Sequence, residues 1–201
     1  MKPSLKTKLY GRFYHTACKK NYQRIPVCSE KVQSRIKTEY KNVILRAKDI
    51  GDSKLLSAYC MGAYFIAVNR CTGLSAEENY QLFKDGLYNS TLLHKVMGNA
   101  EAYLNPKKLQ ERKRWAEESH KRKYENDWIV DILDGNGQYE LGYDYHECGI
   151  CKLCRDEDCF ELAKYLCRLD FVLADMMGME LCRTQTIAEG ADHCDFRYKR
   201  K

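Results

Sequence analysis

The sequence predicts an α+β fold in which N-terminal helices pack on a small antiparallel sheet of about four strands. Up to about residue 125, apolar residues recur at helical spacing, whereas from residue 126 they tend to alternate with polar residues, as in strands. Seven of the eleven cysteines follow position 147, which places the reactive side chains in the second part. We therefore expect a helical part over 1–125 and a cysteine-rich α+β part over 126–201, within one domain.

The first two helices after the basic N-terminus are predicted from capping residues and apolar stripes. Ser29 is a typical N-cap residue for a helix that runs to Ala47. Asp52 or Ser53 is expected to cap the next helix, whose apolar residues form one stripe.

Two more helices are predicted before the sheet. Ser75, followed by two glutamates, begins a helix that runs towards Gly98. Pro106 suits the first turn of a fourth, highly charged helix, because proline lacks the amide that the first turn leaves unpaired.

The predicted sheet begins with a hairpin. The β-rich segments 128–134 and 138–145 flank an Asn-Gly pair within Gly135–Gly137, which is typical of tight turns. The cysteine-rich segment that follows is expected to be a loop. A buried helix over 157–177, ended by Gly178, then precedes two last strands over 179–186 and 193–198.

The cysteine spacing within 148–159 resembles that of metal ligands. Two intervals of two residues and one of four separate the thiols, a pattern close to zinc and iron–sulfur ligand runs. The alternative is a cluster of reduced thiols without metal. We expect no bound cofactor; if zinc or an iron–sulfur cluster binds, its ligands are Cys148, Cys151, Cys154 and Cys159.

A second candidate site lies on the helix predicted over 157–177. That helix is apolar on two faces, so it is expected to be buried. Cys167 lies one turn before Asp170, and their side chains therefore project into the same space. A buried carboxylate needs hydrogen bonds or a cation, so Asp170 either pairs with an arginine or takes part in acid–base chemistry.

The last two predicted strands add further candidates. Cys194 alternates with Asp195, which places the thiol on the core side of its strand and the carboxylate on the other side. Arg183 and Thr186 on the preceding strand are candidates for binding a small anion. His146 is the histidine nearest to the cysteine-rich segment.

Composition narrows the function classes. The chain is 44% hydrophobic and 31% charged, as in ordinary globular proteins. Its apolar stretches are too short to cross a bilayer, and its N-terminus lacks a secretory signal, so we expect a cytoplasmic protein with reduced thiols. Much of the net charge of +6 lies in a mixed-charge helix and at the termini, which favours a small anionic substrate over nucleic acid. A homo-oligomer is compatible with the sequence.

The chain resembles the L-2-amino-thiazoline-4-carboxylic acid hydrolase family. The resemblance rests on four segments, of which the last carries the most specific pattern, Arg-Thr-x-Thr followed by Gly-x-x-x-Cys-Asp-Phe. The segments are LLSAYCMGAYFIAVNRCTGLSAEENYQLF at 55–83, ECGICKLC at 147–154, CFELAKYLCRLDFVLADMMG at 159–178 and RTQTIAEGADHCDFRY at 183–198.

This resemblance implies a hydrolase that opens a small heterocycle, a cyclic amidine or isothiourea such as L-2-amino-thiazoline-4-carboxylate, to a carbamoylated cysteine. In that case a carboxylate would hold the amidine-like nitrogens, a thiol would act as nucleophile or proton donor, and Arg183 would bind the substrate carboxylate. The implied catalytic residues are Cys194, Asp195, Cys167, Asp170 and Cys151, and the implied substrate-binding residues are Arg183 and Thr186. His146 is a further substrate-binding candidate because of its position beside the cysteine-rich segment. The alternative is a binding module without turnover that senses metal or redox state through the cysteines of 148–159.

Overall fold

A computed structural model describes residues 1–22, 25 and 28–201 of the chain. It shows an α+β fold with a four-stranded antiparallel sheet, as the sequence predicts. The helical part contains α1 (Leu5–Tyr22), α2 (Glu30–Arg46), α3 (Leu56–Thr72), α4 (Ala76–Tyr88), α5 (Thr91–Val96), α6 (Ala100–Tyr103) and α7 (Leu109–Ser119). None of the helices in the described part is long and apolar enough to cross a bilayer.

Helix α3 is the centre of the helical part. Every residue from Tyr59 to Val68 is buried, because α1, α2 and α4 surround the helix together with a later helix. Burying a large apolar side chain stabilises a fold by about 1.5–3 kcal/mol, so this helix supplies much of the driving force for folding. The core of the helical part therefore forms around one helix rather than between two equal layers.

The predicted caps are correct at three helix starts and wrong at one. Ser29 caps α2, Ser75 caps α4 in a reciprocal arrangement with Glu78, and Pro106 opens the turn before α7. Helix α3 instead begins after Leu55 without a side-chain cap. The Ser53 hydroxyl accepts the Leu55 amide, which precedes the helix, and donates to Asp127.

The predicted third helix is also interrupted. Helix α4 ends at Tyr88, and Ser90 caps the short helix α5, whereas the sequence suggested one helix as far as Gly98. An internal serine that accepts the amide of Leu93 offers the backbone a new helix start.

The sheet contains β1 (Ile129–Asp134), β2 (Leu141–Glu147), β3 (Met179–Cys182) and β4 (Cys194–Arg200) in the spatial order β1-β2-β4-β3. The last two strands are shorter at the loop between them than predicted. Tyr145 lies opposite Cys194, and Tyr143 lies opposite Phe196, so aromatic rings and one thiol share the inner face of the sheet.

The cysteine-rich segment is a helix, and its prediction as a loop is wrong. Helix α8 (Gly149–Asp156) follows β2 directly, with Cys148 as its N-cap residue. Ile150, Leu153 and Cys154 are buried at helical spacing, while the charged residues Arg155 and Asp156 that follow are exposed. The helical spacing of these apolar residues, rather than the cysteine spacing, therefore indicates the structure of this segment.

Helix α9 (Ala163–Met176) packs between α4 and the sheet and precedes the β3–β4 hairpin, as predicted for the buried inserted helix. It begins later than the predicted residue 157, because a short 3-10 turn over Phe160–Leu162 comes first. Gly178 ends it with a positive φ of 76°.

Helix α8 contacts the rest of the fold closely at its first residue, Gly149. A Cβ atom there would lie 2.7 Å from both the Asn126 carbonyl oxygen and the Trp128 ring. We expect Gly149→Ala to lower the free energy of unfolding by about 1–3 kcal/mol, since backbone and a buried indole must move. Urea denaturation measures this change.

Gly62→Ala is a matched comparison for Gly149→Ala. There the nearest atom is the flexible end of Ile150, and alanine in a helix interior gains about 1 kcal/mol over glycine. Equal losses of stability in both variants would contradict the close contact proposed for Gly149.

Candidate active site

A cavity of about 260 Å³ lies between the inner face of the sheet and helices α3, α8 and α9. Its walls are mainly apolar and aromatic, with Trp128, Tyr145 and Phe196 among them. The groups in its lining that can carry acid–base or nucleophilic chemistry are Asp170, Cys148, Cys167 and Cys194, with the phenols of Tyr103, Tyr145 and Tyr198. A small, largely apolar pocket with a few converging polar groups is typical of ligand sites.

Asp170 is the only carboxylate in the described lining of this cavity. Arg183 Nη1 donates to Asp170 Oδ2 at 2.8 Å, and Arg183 Nη2 donates to the Cys167 carbonyl oxygen at 3.0 Å. The Arg183 side chain is only 4% exposed, whereas 32% of the Asp170 side chain is accessible. The arginine thus lies behind the carboxylate, which is the group that reaches the cavity.

The surroundings of Asp170 favour its protonated form more than water does. Burial raises its pKa from 3.8 to about 6, although the charge and hydrogen bond of Arg183 oppose the shift. A carboxyl group that titrates near pH 6 can take up and release protons close to neutral pH. Its position inside a cavity makes it the strongest acid–base candidate in the fold.

Cys167 and Cys194 reach the same cavity from different elements. Cys167 lies on α9 one turn before Asp170, and Cys194 begins β4, where its sulfur accepts the Ile187 amide at 3.2 Å. Burial raises the pKa of Cys194 to about 11 and that of Cys167 well above its usual value, and the Asp170 charge adds to both shifts. Both residues are therefore neutral thiols at pH 7.

Cys148 also lines the cavity, whereas Cys151 lies behind it and is 1% exposed. The neighbouring Cys151 thiol lowers the pKa of Cys148, and nearby backbone amides add to the effect. Neither the Ile150 amide nor the Cys151 amide makes a capping hydrogen bond to the Cys148 side chain. The pKa of Cys151 rises accordingly. Sequence reasoning nominated Cys151, but the helical geometry of this segment identifies Cys148 as the thiol in the cavity wall.

The other two cysteines of the cluster form a separate pair. The neighbouring Cys154 thiol lowers the pKa of Cys159, and both residues are buried outside the cavity. Within the described ranges, no group of three or more histidine, cysteine, aspartate or glutamate residues is arranged to hold a metal ion. The four cysteines thus lie as two pairs along α8 and the turn after it.

Three other nominated residues lie outside the cavity. Asp195 faces the opposite side of its strand and accepts the amides of Thr184 and Gln185, each at 2.9 Å. Thr186 is buried and donates to Glu189. These contacts fix the β3–β4 loop that carries Ile187 to the Cys194 sulfur.

His146 lies on the outer face of the sheet. Its Nε2 atom is 2.9 Å from Asp131, which also contacts His120, and 41% of the His146 side chain is exposed. This histidine neighbours the cysteine-rich segment in sequence only, because alternate residues of β2 point to opposite faces.

Residues 53–198 match the family model described as L-2-amino-thiazoline-4-carboxylic acid hydrolase. The chain belongs to this family. The matched range covers the cavity and all of the residues nominated for its chemistry, and it leaves α1 and α2 outside. The family name implies a hydrolase. The chain has no significant match among curated proteins or solved structures.

Proposed function

We propose that this member of the L-2-amino-thiazoline-4-carboxylic acid hydrolase family opens the thiazoline ring of a small substrate such as L-2-amino-thiazoline-4-carboxylate. The observation that carries the proposal is the meeting of Asp170, Cys167 and Cys194 in one cavity within the family-matched range. A carboxyl group with a pKa near 6 beside neutral thiols suits hydrolysis of a polar C–S bond.

In the proposed reaction, Asp170 is the proton carrier. Its carboxylate removes a proton from water as the water oxygen bonds to C2 of the ring, and the ring nitrogen becomes protonated. The C2–S bond then breaks, its electron pair goes to sulfur, and the second water proton moves from the C2 hydroxyl to that sulfur as the carbonyl forms. Asp170 transfers the proton at each stage and ends as a carboxylate.

The two neutral thiols have a supporting role in this proposal. Because the pKa values of Cys167 and Cys194 are raised, attack by either as a thiolate is disfavoured at neutral pH. We assign Cys194 as the hydrogen-bond donor to the departing sulfur, and Cys167 as the thiol that borders Asp170. In this proposal neither thiol is a nucleophile, and Cys194 is the donor.

Arg183 is proposed as a positioning residue. Its guanidinium group is committed to Asp170 and to the Cys167 carbonyl, and its carbon lies 4.8 Å from the centroids of the Phe171 and Phe196 rings. These contacts hold the carboxylate towards the cavity and supply positive charge close to it. A direct clamp on the substrate carboxylate would require Arg183 to leave Asp170.

Turnover of authentic L-2-amino-thiazoline-4-carboxylate, measured as release of the new thiol and appearance of carbamoyl-cysteine, tests the proposed function. We expect turnover that survives a metal chelator. Absence of turnover on any thiazoline carboxylate, together with stoichiometric iron or zinc in the anaerobically purified protein, would favour the alternative of a sensing module built on Cys148, Cys151, Cys154 and Cys159.

The proposal predicts a pH profile. If Asp170 acts as the base, kcat/KM should fall about tenfold per pH unit below about pH 6 and level off above it, because only the carboxylate accepts a proton from water. Initial rates from pH 4.5 to pH 8 measure this profile. A profile that stays flat through pH 6 would contradict the role of Asp170.

The same group affects stability in the opposite direction. The pKa of Asp170 is higher in the folded chain than the usual value of 3.8, so the folded state binds more protons between about pH 4 and 6. Its contribution to the free energy of unfolding is therefore fully present below about pH 4 and is lost as the pH rises through about 6.

A further inference from the structure

Cys148 and Cys151 have the geometry of a dithiol that can close into a disulfide. Cys148 follows the last residue of β2 in an extended conformation (φ −116°, ψ 118°), and Cys151 lies in the first turn of α8. Cys148 is the N-cap residue and Cys151 the third residue of the helix, and an N-cap side chain reaches towards the amides of the second and third helical residues. The C-x-x-C spacing at a helix start is also that of redox-active dithiols. Both cysteines are reduced in the structure.

The two thiols differ in access and in acidity. Cys148 is partly accessible and lines the cavity, whereas Cys151 is 1% exposed and lies behind it. The neighbouring Cys151 thiol and the nearby helix amides lower the pKa of Cys148, and the pKa of Cys151 is raised. Cys148 is thus the reachable sulfur and the more acidic of the two, and Cys151 lies behind it.

We propose that Cys148 and Cys151 form a reversible disulfide when a small hydroperoxide enters the cavity, with Cys148 as the attacking sulfur and Cys151 as the resolving one. A peroxide is small compared with a cavity of about 260 Å³. The proposal goes beyond the hydrolase reaction, because Cys148 has no assigned role in that reaction.

The two steps balance. The Cys148 thiolate attacks one peroxide oxygen, the O–O bond breaks, and the departing hydroxide takes a proton to leave as water, which gives a sulfenic acid. The Cys151 sulfur then attacks the Cys148 sulfur, the S–O bond breaks, and hydroxide leaves as water with the Cys151 proton. The two thiols lose two electrons, and hydrogen peroxide is reduced to two waters; an organic hydroperoxide is reduced to an alcohol and one water.

Other cysteines are less suited to this reaction. Cys154 and Cys159 are also neighbours, joined by a backbone hydrogen bond, but both are buried and neither lines the cavity. Cys167 and Cys194 reach the cavity as neutral thiols, which are weak nucleophiles. Selectivity for Cys148 and Cys151 therefore follows from position as well as from acidity.

Peptide mapping of the wild-type protein tests the proposal directly. After brief treatment with hydrogen peroxide, remaining thiols are alkylated and the protein is digested with trypsin. Residues 124–152 form one tryptic peptide that contains Cys148 and Cys151 and no other cysteine, whereas Cys154 and Cys159 fall on separate peptides.

We expect this peptide to lose both alkylation sites and two hydrogens, and to regain both sites after dithiothreitol. The proposal is overturned if the peptide stays fully alkylated while other cysteines are oxidised, or if its cysteines are linked to other peptides. This readout needs no substrate, so its failure is separate from failure of the proposed hydrolase activity.

Two variants identify the attacking sulfur. In Cys151→Ser, oxidised Cys148 lacks its resolving thiol, so dimedone should trap a sulfenic acid on Cys148. Cys154→Ser is the matched control, one helical turn further along α8, and should form the same disulfide as the wild-type protein. Trapping on any cysteine other than Cys148, or loss of the disulfide in Cys154→Ser, would contradict the assignment.

Discussion

Asp170→Asn is expected to lower kcat on a thiazoline carboxylate by about 10²–10⁴-fold, the usual contribution of a positioned acid–base group. Asparagine has nearly the same shape and can still accept a hydrogen bond from Arg183, but its side chain neither takes up nor releases a proton at any working pH. Steady-state kinetics measures the loss. The fold should survive, because asparagine removes a charge that the folded chain disfavours at neutral pH, while its hydrogen bond from Arg183 becomes a neutral one.

Asp195→Asn is the matched control for this variant. Asp195 was nominated together with Asp170, but it faces away from the cavity and accepts hydrogen bonds from the Thr184 hydroxyl and from loop amides. We expect its substitution to destabilise the β3–β4 loop and to reduce kcat far less. If Asp195→Asn, still folded, lost as much activity as Asp170→Asn, the assignment of Asp170 as the proton carrier would be wrong.

The second large effect is expected from Cys194→Ser, which should lower kcat by about 10²-fold. A hydroxyl in place of the thiol can still accept the Ile187 amide, so the loop contact is retained. However, a serine hydroxyl is a much weaker acid than a thiol and supports the departing sulfur less well. Turnover of several thiazoline substrates by the folded variant provides the measurement.

Cys182→Ser controls for the general effect of replacing a cysteine near the sheet. Cys182 is exposed at the end of β3 and does not line the cavity, so this variant should match the wild-type protein in turnover. Cys167→Ser then shows how much the other neutral thiol contributes. Near wild-type turnover of Cys194→Ser on every thiazoline tested would exclude the proposed role of Cys194.

Periodicity in the sequence was sufficient to predict that Cys167, Asp170 and Cys194 face the interior of the fold. The alternation along the last strand placed Cys194 inwards and Asp195 outwards, as the structure shows. Helical spacing likewise brought Cys167 and Asp170 into one cavity. Both predictions depend only on the repeat of one element, which the local sequence encodes.

Features that depend on two elements were harder to predict. The need of a buried Asp170 for hydrogen bonds or a cation followed from the sequence, but the identity of Arg183 as its partner depends on how β3 lies against α9. The loop prediction for 147–156 failed because the cysteine spacing was given more weight than the buried period of Ile150 and Leu153. Because of that error, Cys148 was not predicted to line the cavity, although its position in the cavity wall follows once the segment is helical.

The two hydrogen bonds of Arg183 determine what holds the site together when Asp170 is protonated during turnover. Only one of them, to Asp170, weakens when that carboxyl group holds a proton; the other, to the Cys167 carbonyl, is independent of protonation. The guanidinium group therefore stays attached to α9 while the carboxyl group is neutral. We expect the β3–β4 loop to keep its place throughout turnover, so that the site relays protons without opening and closing its own wall.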